Sequence, residues 1–176
     1  IVLISAAFYL FFITAKDFFS KKFKNYPQKI SHFGFSLLIL SILLNSIFSS
    51  EVITNLKVGE KFSFKEESIT FESIENTESK NYRSIIGHFK IEDKQKNSIQ
   101  LKPELRIYDQ PFTITSEADI KTTLYYDKFL VMNLVKGNEY FNVRYQFKPF
   151  MIWIWISTLL LIIGGIFSLF KRTYEK

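Results

Sequence analysis

The sequence has two histidines and no cysteine, so few of its side chains are suited to metal or nucleophilic chemistry. Without thiols there is no disulfide, no iron–sulfur cluster and no cysteine-ligated zinc, and two histidines are too few for a multi-histidine metal site. His32 and His88 are therefore the residues whose environment decides what chemistry is possible.

His32 lies inside an apolar run, just after a basic segment. A polar ring in an apolar helix can hydrogen-bond across helices, or it can hold a metal or heme iron through one nitrogen. Ser36 follows one helical turn later, and helical spacing predicts that it shares the face of His32. Both the structural and the ligating role of His32 stay open at this point.

His88 follows Gly87 in a segment where apolar and polar residues alternate. This alternation places His88 on the face opposite Phe89, and we expect a solvated or locally hydrogen-bonded ring. No GxSxG or HExxH motif accompanies it, so a hydrolase is disfavoured.

Three stretches without charged residues set the organisation of the chain: residues 1–15, 30–50 and 149–170. At about 1.5 Å per residue, the last two reach roughly 30 Å, the thickness of the hydrocarbon core of a bilayer. The first is shorter, and we expect that its beginning is cut off. The pattern predicts three transmembrane helices.

The basic residues predict the orientation of these helices. Residues 16–29 carry five Lys against one Asp, residues 171–176 carry three basic residues against one Glu, and together they account for the net charge of +6. By the positive-inside rule both segments are cytoplasmic, so the charge-balanced residues 51–148 lie outside. The two cytoplasmic basic segments then account for the sequence pI of about 9.3. We therefore expect contact with the lipid bilayer and no binding of nucleic acid.

Aromatic residues and glycines near the helices suggest further roles. Trp153 and Trp155 fit an aromatic belt at the outer surface. Pro149 fits a first helical turn, and Gly164 and Gly165 would permit close helix packing. On the inner side, the aromatic residues mixed with lysines suggest a segment at the membrane surface: Phe18, Phe19, Phe23 and Tyr26.

The outer segment alternates with a period near two, which is typical of β-strands. A short connection, Lys136-Gly137-Asn138, predicts a hairpin, whereas residues 117–126 suggest a short helix or an irregular loop. We therefore predict an α+β membrane protein in which an exported antiparallel β-barrel or β-sandwich domain lies between the second and third helices. The expected strands are residues 61–64, 68–75, 84–92, 98–102, 105–108, 113–116, 128–135 and 140–147.

The predicted organisation has six parts. They are a truncated helix (1–15), a basic cytoplasmic loop (16–29), a helix carrying His32 (30–50), an exported β-rich domain (51–148), a helix (149–170) and a cytoplasmic tail (171–176).

Several short motifs support a family resemblance. They are His32-Phe33-Gly34, Asn81-Tyr82-Arg83, Lys102-Pro103-Glu104-Leu105-Arg106-Ile107-Tyr108, Thr115-Ser116-Glu117-Ala118-Asp119-Ile120 and the run from Arg144 to Trp155. In this order, over about residues 25–170, they resemble the C-terminal part of CcmF, the cytochrome c heme lyase subunit. The departures are modest: Leu105 stands where the family has a basic residue, and Met151-Ile152 lacks an arginine often present before the first Trp.

The resemblance implies that His32 is an axial iron ligand of a structural b-type heme (heme b). It also implies that the second ligand and the heme-handling residues lie upstream of Ile1, so this chain holds no catalytic residue and is only part of a heme lyase complex. The implied partners are apocytochrome c and the heme chaperone and thiol-reducing subunits of the maturation complex. The implied location is a bacterial inner membrane, multi-pass with residues 51–148 periplasmic, and the alternative is a mitochondrial inner membrane.

One rival interpretation needs no cofactor. The chain would then be a membrane-anchored β-domain that acts as a non-catalytic partner-binding module, and His32 would only pack.

Overall fold

The computed structural model describes residues 2–20, 25–135, 137 and 139–174, with residues 171–174 described by their backbone alone. The chain forms two compact units. We call them the helical unit, Ile1–Ser49 with Thr123–Asp127 and Lys148–Lys176, and the sandwich unit, Ser50–Thr122 with Lys128–Phe147. Three residues named in the sequence predictions lie outside the described residues, as do the last two of the tail: Phe23, Lys136 and Asn138.

The helical unit contains α1 (Val2–Phe19), α2 (Tyr26–Phe48) and α3 (Met151–Tyr174). Each is long and apolar enough to cross a membrane, α3 over Met151–Phe170. The ends of the helices do not coincide with the ends of the uncharged stretches. In particular, α1 continues through Lys16 and Asp17, and α2 begins ahead of residue 30.

The early start of α2 is explained by its first turn. Pro27 lies there, where its missing N–H costs nothing. Lys29 is 8% exposed, and its Nζ donates a hydrogen bond to the carbonyl of Ser20, just beyond the end of α1. This lysine therefore joins the end of α1 to the start of α2. The charge pattern alone places it in the loop of residues 16–29.

The start of α3 differs from the prediction for Pro149. Pro149 is the last residue of a strand and the helix begins at Met151, so the placement of Pro149 in a first helical turn is wrong. Between them, Phe150 adopts a left-handed backbone with φ of 61°. Its N–H donates to the carbonyl of Tyr125 at 2.9 Å, which fixes the backbone where the chain turns from strand to helix.

The sandwich unit consists of two sheets. One has the strand order β1-β10-β9-β8, and the other has the order β2-β3-β4-β6-β7 with β5 paired to β4. The registered pairs β1–β10, β2–β3, β3–β4, β4–β5, β4–β6 and β6–β7 are antiparallel. The strands are β1 Ser50–Leu56, β2 Lys61–Phe64, β3 Glu67–Glu78, β4 Tyr82–Asp93, β5 Ser98–Leu101, β6 Glu104–Asp109, β7 Phe112–Glu117, β8 Asp119–Thr122, β9 Tyr126–Leu134 and β10 Phe141–Pro149.

Both sheets contribute to one apolar core. Phe71 on β3 stacks on Phe89 on β4 with ring centroids 4.3 Å apart. The other core side chains come from seven strands: Leu56, Ile69, Ile91, Leu101, Leu105, Leu130, Met132, Val143 and Tyr145. A core shared by two separate sheets makes this a β-sandwich, which decides between the two expected architectures.

The eight expected strands are all present, and two further strands are not among them. β8 occupies part of residues 117–126, so the expected helix or irregular loop there is wrong. β8 ends its sheet and three of its four residues are exposed, so it lacks the alternation that marks a half-buried strand. In β1 the apolar Ile53 lies on the exposed face and Thr54 on the inner one, which hides the alternation.

Candidate functional site

His32 lies in the second turn of α2 with its side chain exposed. No hydrogen bond joins its ring to another of the described residues. The exposed imidazole therefore stands on a helix of membrane-spanning length and composition. Burial of such a ring in lipid is costly unless the ring has a hydrogen-bonding or ligating partner.

One neighbouring face of α2 is fixed to α1. The ring of Phe33 stacks on Phe18 with centroids 4.9 Å apart and contacts Phe11 at 5.8 Å. Ser36 is fully buried, and its hydroxyl lies 2.5 Å from the hydroxyl of Thr14. Ser36 therefore serves the contact between α1 and α2. It lies one helical turn after His32, but its side chain is buried whereas the imidazole is exposed.

Another face of α2 meets α3 closely. A Cβ on Gly34 would lie 3.0 Å from Leu160 Cβ and 3.1 Å from the carbonyl oxygen of Ser157. A Cβ on Gly164 would lie 2.8 Å from the backbone nitrogen of Ser31. The predicted close packing is confirmed for Gly164. It is wrong for Gly165, where a Cβ would meet no described atom within 4 Å.

His32 also borders a pocket of about 130 Å³ within the helical unit, and the described residues that line it are all of polar or charged types. The other residues that line it come from the end of α1 and the start of α2: Thr14, Asp17, Asn25, Gln28 and Lys29. Of these, Gln28 precedes His32 by one helical turn, and this spacing is the sequence signal that would have found it.

His88 lies in the sandwich unit and has a local partner. Its Nε2 is 3.1 Å from Glu75 Oε2 across the β3–β4 ladder. This is the locally hydrogen-bonded histidine that the alternation predicted. Within the described part of the chain no serine hydroxyl is bonded to the ring, so the geometry does not form a hydrolytic triad.

Three of the motifs that carry the family resemblance meet around Arg106. Its Nη2 is 2.9 Å from Glu104 Oε2, its Nη1 is 3.8 Å from Glu117, and its guanidinium lies 5.1 Å from the centre of the Tyr82 ring. The hydrogen bond from Arg106 lowers the pKa of Glu104 below its usual value, and the same bond raises the pKa of Arg106. This cluster ties β4, β6 and β7 together on one face of the sheet.

Among the residues that the structure describes, no group of three or more His, Asp or Glu side chains could hold a metal ion. The chemistry that these residues offer is that of one exposed imidazole beside a small pocket.

Fold and site together define a class of protein. In chain order, the described residues form a sandwich of ten strands between the second and third of three membrane-type helices, and the second helix carries the exposed histidine. The chain belongs to the CcmF family, because residues 47–149 match the CcmF C-terminal beta-sandwich.

Known proteins of cytochrome c biogenesis resemble the chain over most of its length. It is 29% identical to the cytochrome c-type biogenesis protein CcmF of Pseudomonas fluorescens, over 84% of the chain and 22% of that protein. It is 23% identical to the biogenesis protein NrfE of Haemophilus influenzae, over 99% of the chain and 28% of that protein. The chain thus spans about a quarter of the length of these relatives.

A solved structure shows the same fold. The cytochrome c heme lyase CcmF superposes on 91% of the chain with a TM-score of 0.68 at 16% identity, and the match covers 28% of that chain.

Proposed function

We propose that the chain is part of a cytochrome c heme lyase subunit and takes part in attaching heme to apocytochrome c at the outer face of a bacterial inner membrane. Membership of the CcmF family supports this role, and the three apolar helices support the location. The basic segments favour a periplasmic position for residues 51–148. The sandwich would help to shape the surface on which apocytochrome c and the heme chaperone and thiol-reducing subunits dock.

In this proposal, His32 is an axial ligand of a b-type heme. The observation that carries it is the exposed imidazole on α2, which has no hydrogen-bond partner among the described residues. The donor fits the group, because a neutral imidazole nitrogen is a common axial ligand of heme iron. The apolar surface of α2, where Phe35 is exposed, suits a porphyrin face.

A bound heme would supply one-electron redox chemistry. The residues of this chain would present and orient the ligand nitrogen. Phe33 and Ser36 hold the turn of His32 against α1, and Gly34 holds it against α3. We propose no catalytic residue here, and the second axial ligand would come from another part of the complete protein.

A reduced-minus-oxidised absorbance spectrum of the complete, detergent-solubilised protein tests this role. We expect a six-coordinate b-type signal in the wild type and its loss in His32→Ala, because the substitution removes the proposed ligand nitrogen. His88→Ala is the matched control and should keep the signal, since that ring is bonded to Glu75 in the sandwich unit.

An unchanged spectrum in His32→Ala would show that His32 only packs. The absence of heme from the wild-type protein would favour the rival, a partner-binding module without a cofactor.

A further inference from the structure

The turn of α2 that carries His32 contacts α3 on both sides of the histidine. Ser31, one residue earlier, lies against Gly164, and Gly34, two residues later, lies against the turn of α3 that contains Ser157 and Leu160. Gly34 and Gly164 are both buried, so each helix contributes one side-chain-free position to the crossing. The position of this turn relative to α3 is therefore set by two glycines.

The contact at Gly164 is with the main chain as well as with a side chain. A Cβ there would lie 2.2 Å from Ser31 Oγ, 2.8 Å from Ser31 N and 3.0 Å from Pro27 O. Ser31 N and Pro27 O are related as donor and acceptor of one helical i to i−4 step, so they move only with the whole turn. A methyl group at this point must displace that turn by several tenths of an ångström, because van der Waals contact begins near 3.5 Å.

The opposite face of the turn cannot absorb this displacement freely. Phe33 is stacked on α1, and Ser36 is hydrogen-bonded to Thr14. His32 lies on the same turn as these contacts, so a shift forced from α3 changes the direction of its imidazole.

On this basis, and resting on the proposed heme ligation, we propose that Gly164 is a positioning residue for His32. The missing side chain at Gly164 sets the distance from α3 to the histidine turn, and through it the orientation of the ligand nitrogen. Ring orientation and axial geometry tune the electronic state of a bound heme iron, so this role has a spectroscopic signature.

The chain provides a matched control one residue away. Gly165 is exposed, and a Cβ on it would meet no described atom within 4 Å, so Gly165→Ala makes the same chemical change without the contact. We would purify the complete protein as wild type, Gly164→Ala, Gly165→Ala and His32→Ala. The measurements are heme content, the low-spin electron paramagnetic resonance g values and the midpoint potential of the b-type heme.

We expect Gly164→Ala to shift the g values and the midpoint potential, or to lose heme while the protein remains inserted, and Gly165→Ala to match the wild type. Adding Ser31→Ala to Gly164→Ala removes the oxygen at 2.2 Å but leaves the contact with Ser31 N, so it should restore part of the shift. If Gly164→Ala does not accumulate in membranes, Gly34→Ala is used to test whether the contact with α3 positions His32. Its Cβ contacts of 3.0 to 3.1 Å are milder, and a smaller shift is expected.

The outcomes separate the two proposals. A wild type without b-type heme, or an unchanged spectrum in His32→Ala, overturns the proposed ligation. Heme that depends on His32 but keeps wild-type g values and potential in Gly164→Ala overturns the positioning role and leaves the ligation standing.

Discussion

Arg106 brings two carboxylates and an aromatic ring together in the sandwich. Glu104, Glu117 and the ring of Tyr82 all face its guanidinium. Because the hydrogen bond from Arg106 lowers the folded pKa of Glu104, the pair contributes stability above the usual Glu104 value of 4.5. That contribution is lost as the pH falls through the lowered folded value.

Glu104→Gln should therefore flatten the acid limb of the stability profile. We expect the melting temperature of the wild type to fall more steeply below about pH 4.5 than that of the variant, because only the wild type loses a carboxylate that is stabilised in the folded state. Thermal melts of the detergent-solubilised protein between pH 7 and pH 3 measure this. Glu78→Gln removes a carboxylate at the end of β3 and serves as control, and equal slopes in all three proteins would contradict the role of the pair.

At the scale of elements, β4 is the strand around which the larger sheet is built, since it pairs with β3, β5 and β6. Gly87 interrupts its inward face. A Cβ there would lie 2.7 Å from Phe89 Cε2 and 2.9 Å from Met132 Sδ, and Met132 belongs to the opposite sheet. The glycine thus makes the space that the methionine fills when the two sheets meet.

Gly87→Ala should destabilise the sandwich by about 1–3 kcal/mol, the usual cost of overpacking a dense core. Combining it with Met132→Ala should cost less than the sum of the two single changes, because the added methyl group then occupies space that the methionine has left. Chemical unfolding, followed by the protease resistance of the sandwich and not by tryptophan fluorescence, measures the destabilisation of each single variant and of the double variant. Strict additivity would show that the two residues do not compete for one space.

Patterns within one element predicted much of this fold, and contacts between elements account for what they missed. Strands with one buried face, such as β3 and β4, show their alternation in the sequence. β8 shows no such alternation, because three of its four residues are exposed and it has no buried face. His32 was evident as a polar ring in an apolar run, whereas the role of Gly34 depends on where α3 passes, which no pattern within α2 reveals.

For the whole molecule, charge distribution is the main sign of orientation. The two basic segments carry the entire net charge of +6, and the sandwich region is balanced. If both segments are cytoplasmic, the sandwich is exposed on the far side of the membrane.

Cysteine labelling can test this orientation, since the chain itself contains no cysteine. Gln95, at the exposed β4–β5 turn, and Lys16, exposed near the end of α1, are suitable positions for single substitutions. We expect a membrane-impermeant maleimide to label Gln95→Cys in spheroplasts and Lys16→Cys only after the membrane is opened. The protein without either substitution gives the background, and the reverse pattern would invert the topology.

The pairing of β1 with β10 has a consequence for how such a protein can change over evolution. Ser50 lies opposite Phe147, so the chain enters and leaves the sandwich at neighbouring points, with paired Cα atoms about 4.5–5.5 Å apart. The separation of these two ends is fixed by the ladder and does not depend on how much polypeptide lies between them. The entropic cost of bringing the ends of an inserted segment together grows with the length of the segment. Here the pairing of the first and last strands, which is part of the fold, already holds the two ends together. Loops of the sandwich can therefore gain or lose residues without changing the separation of Ser50 and Phe147.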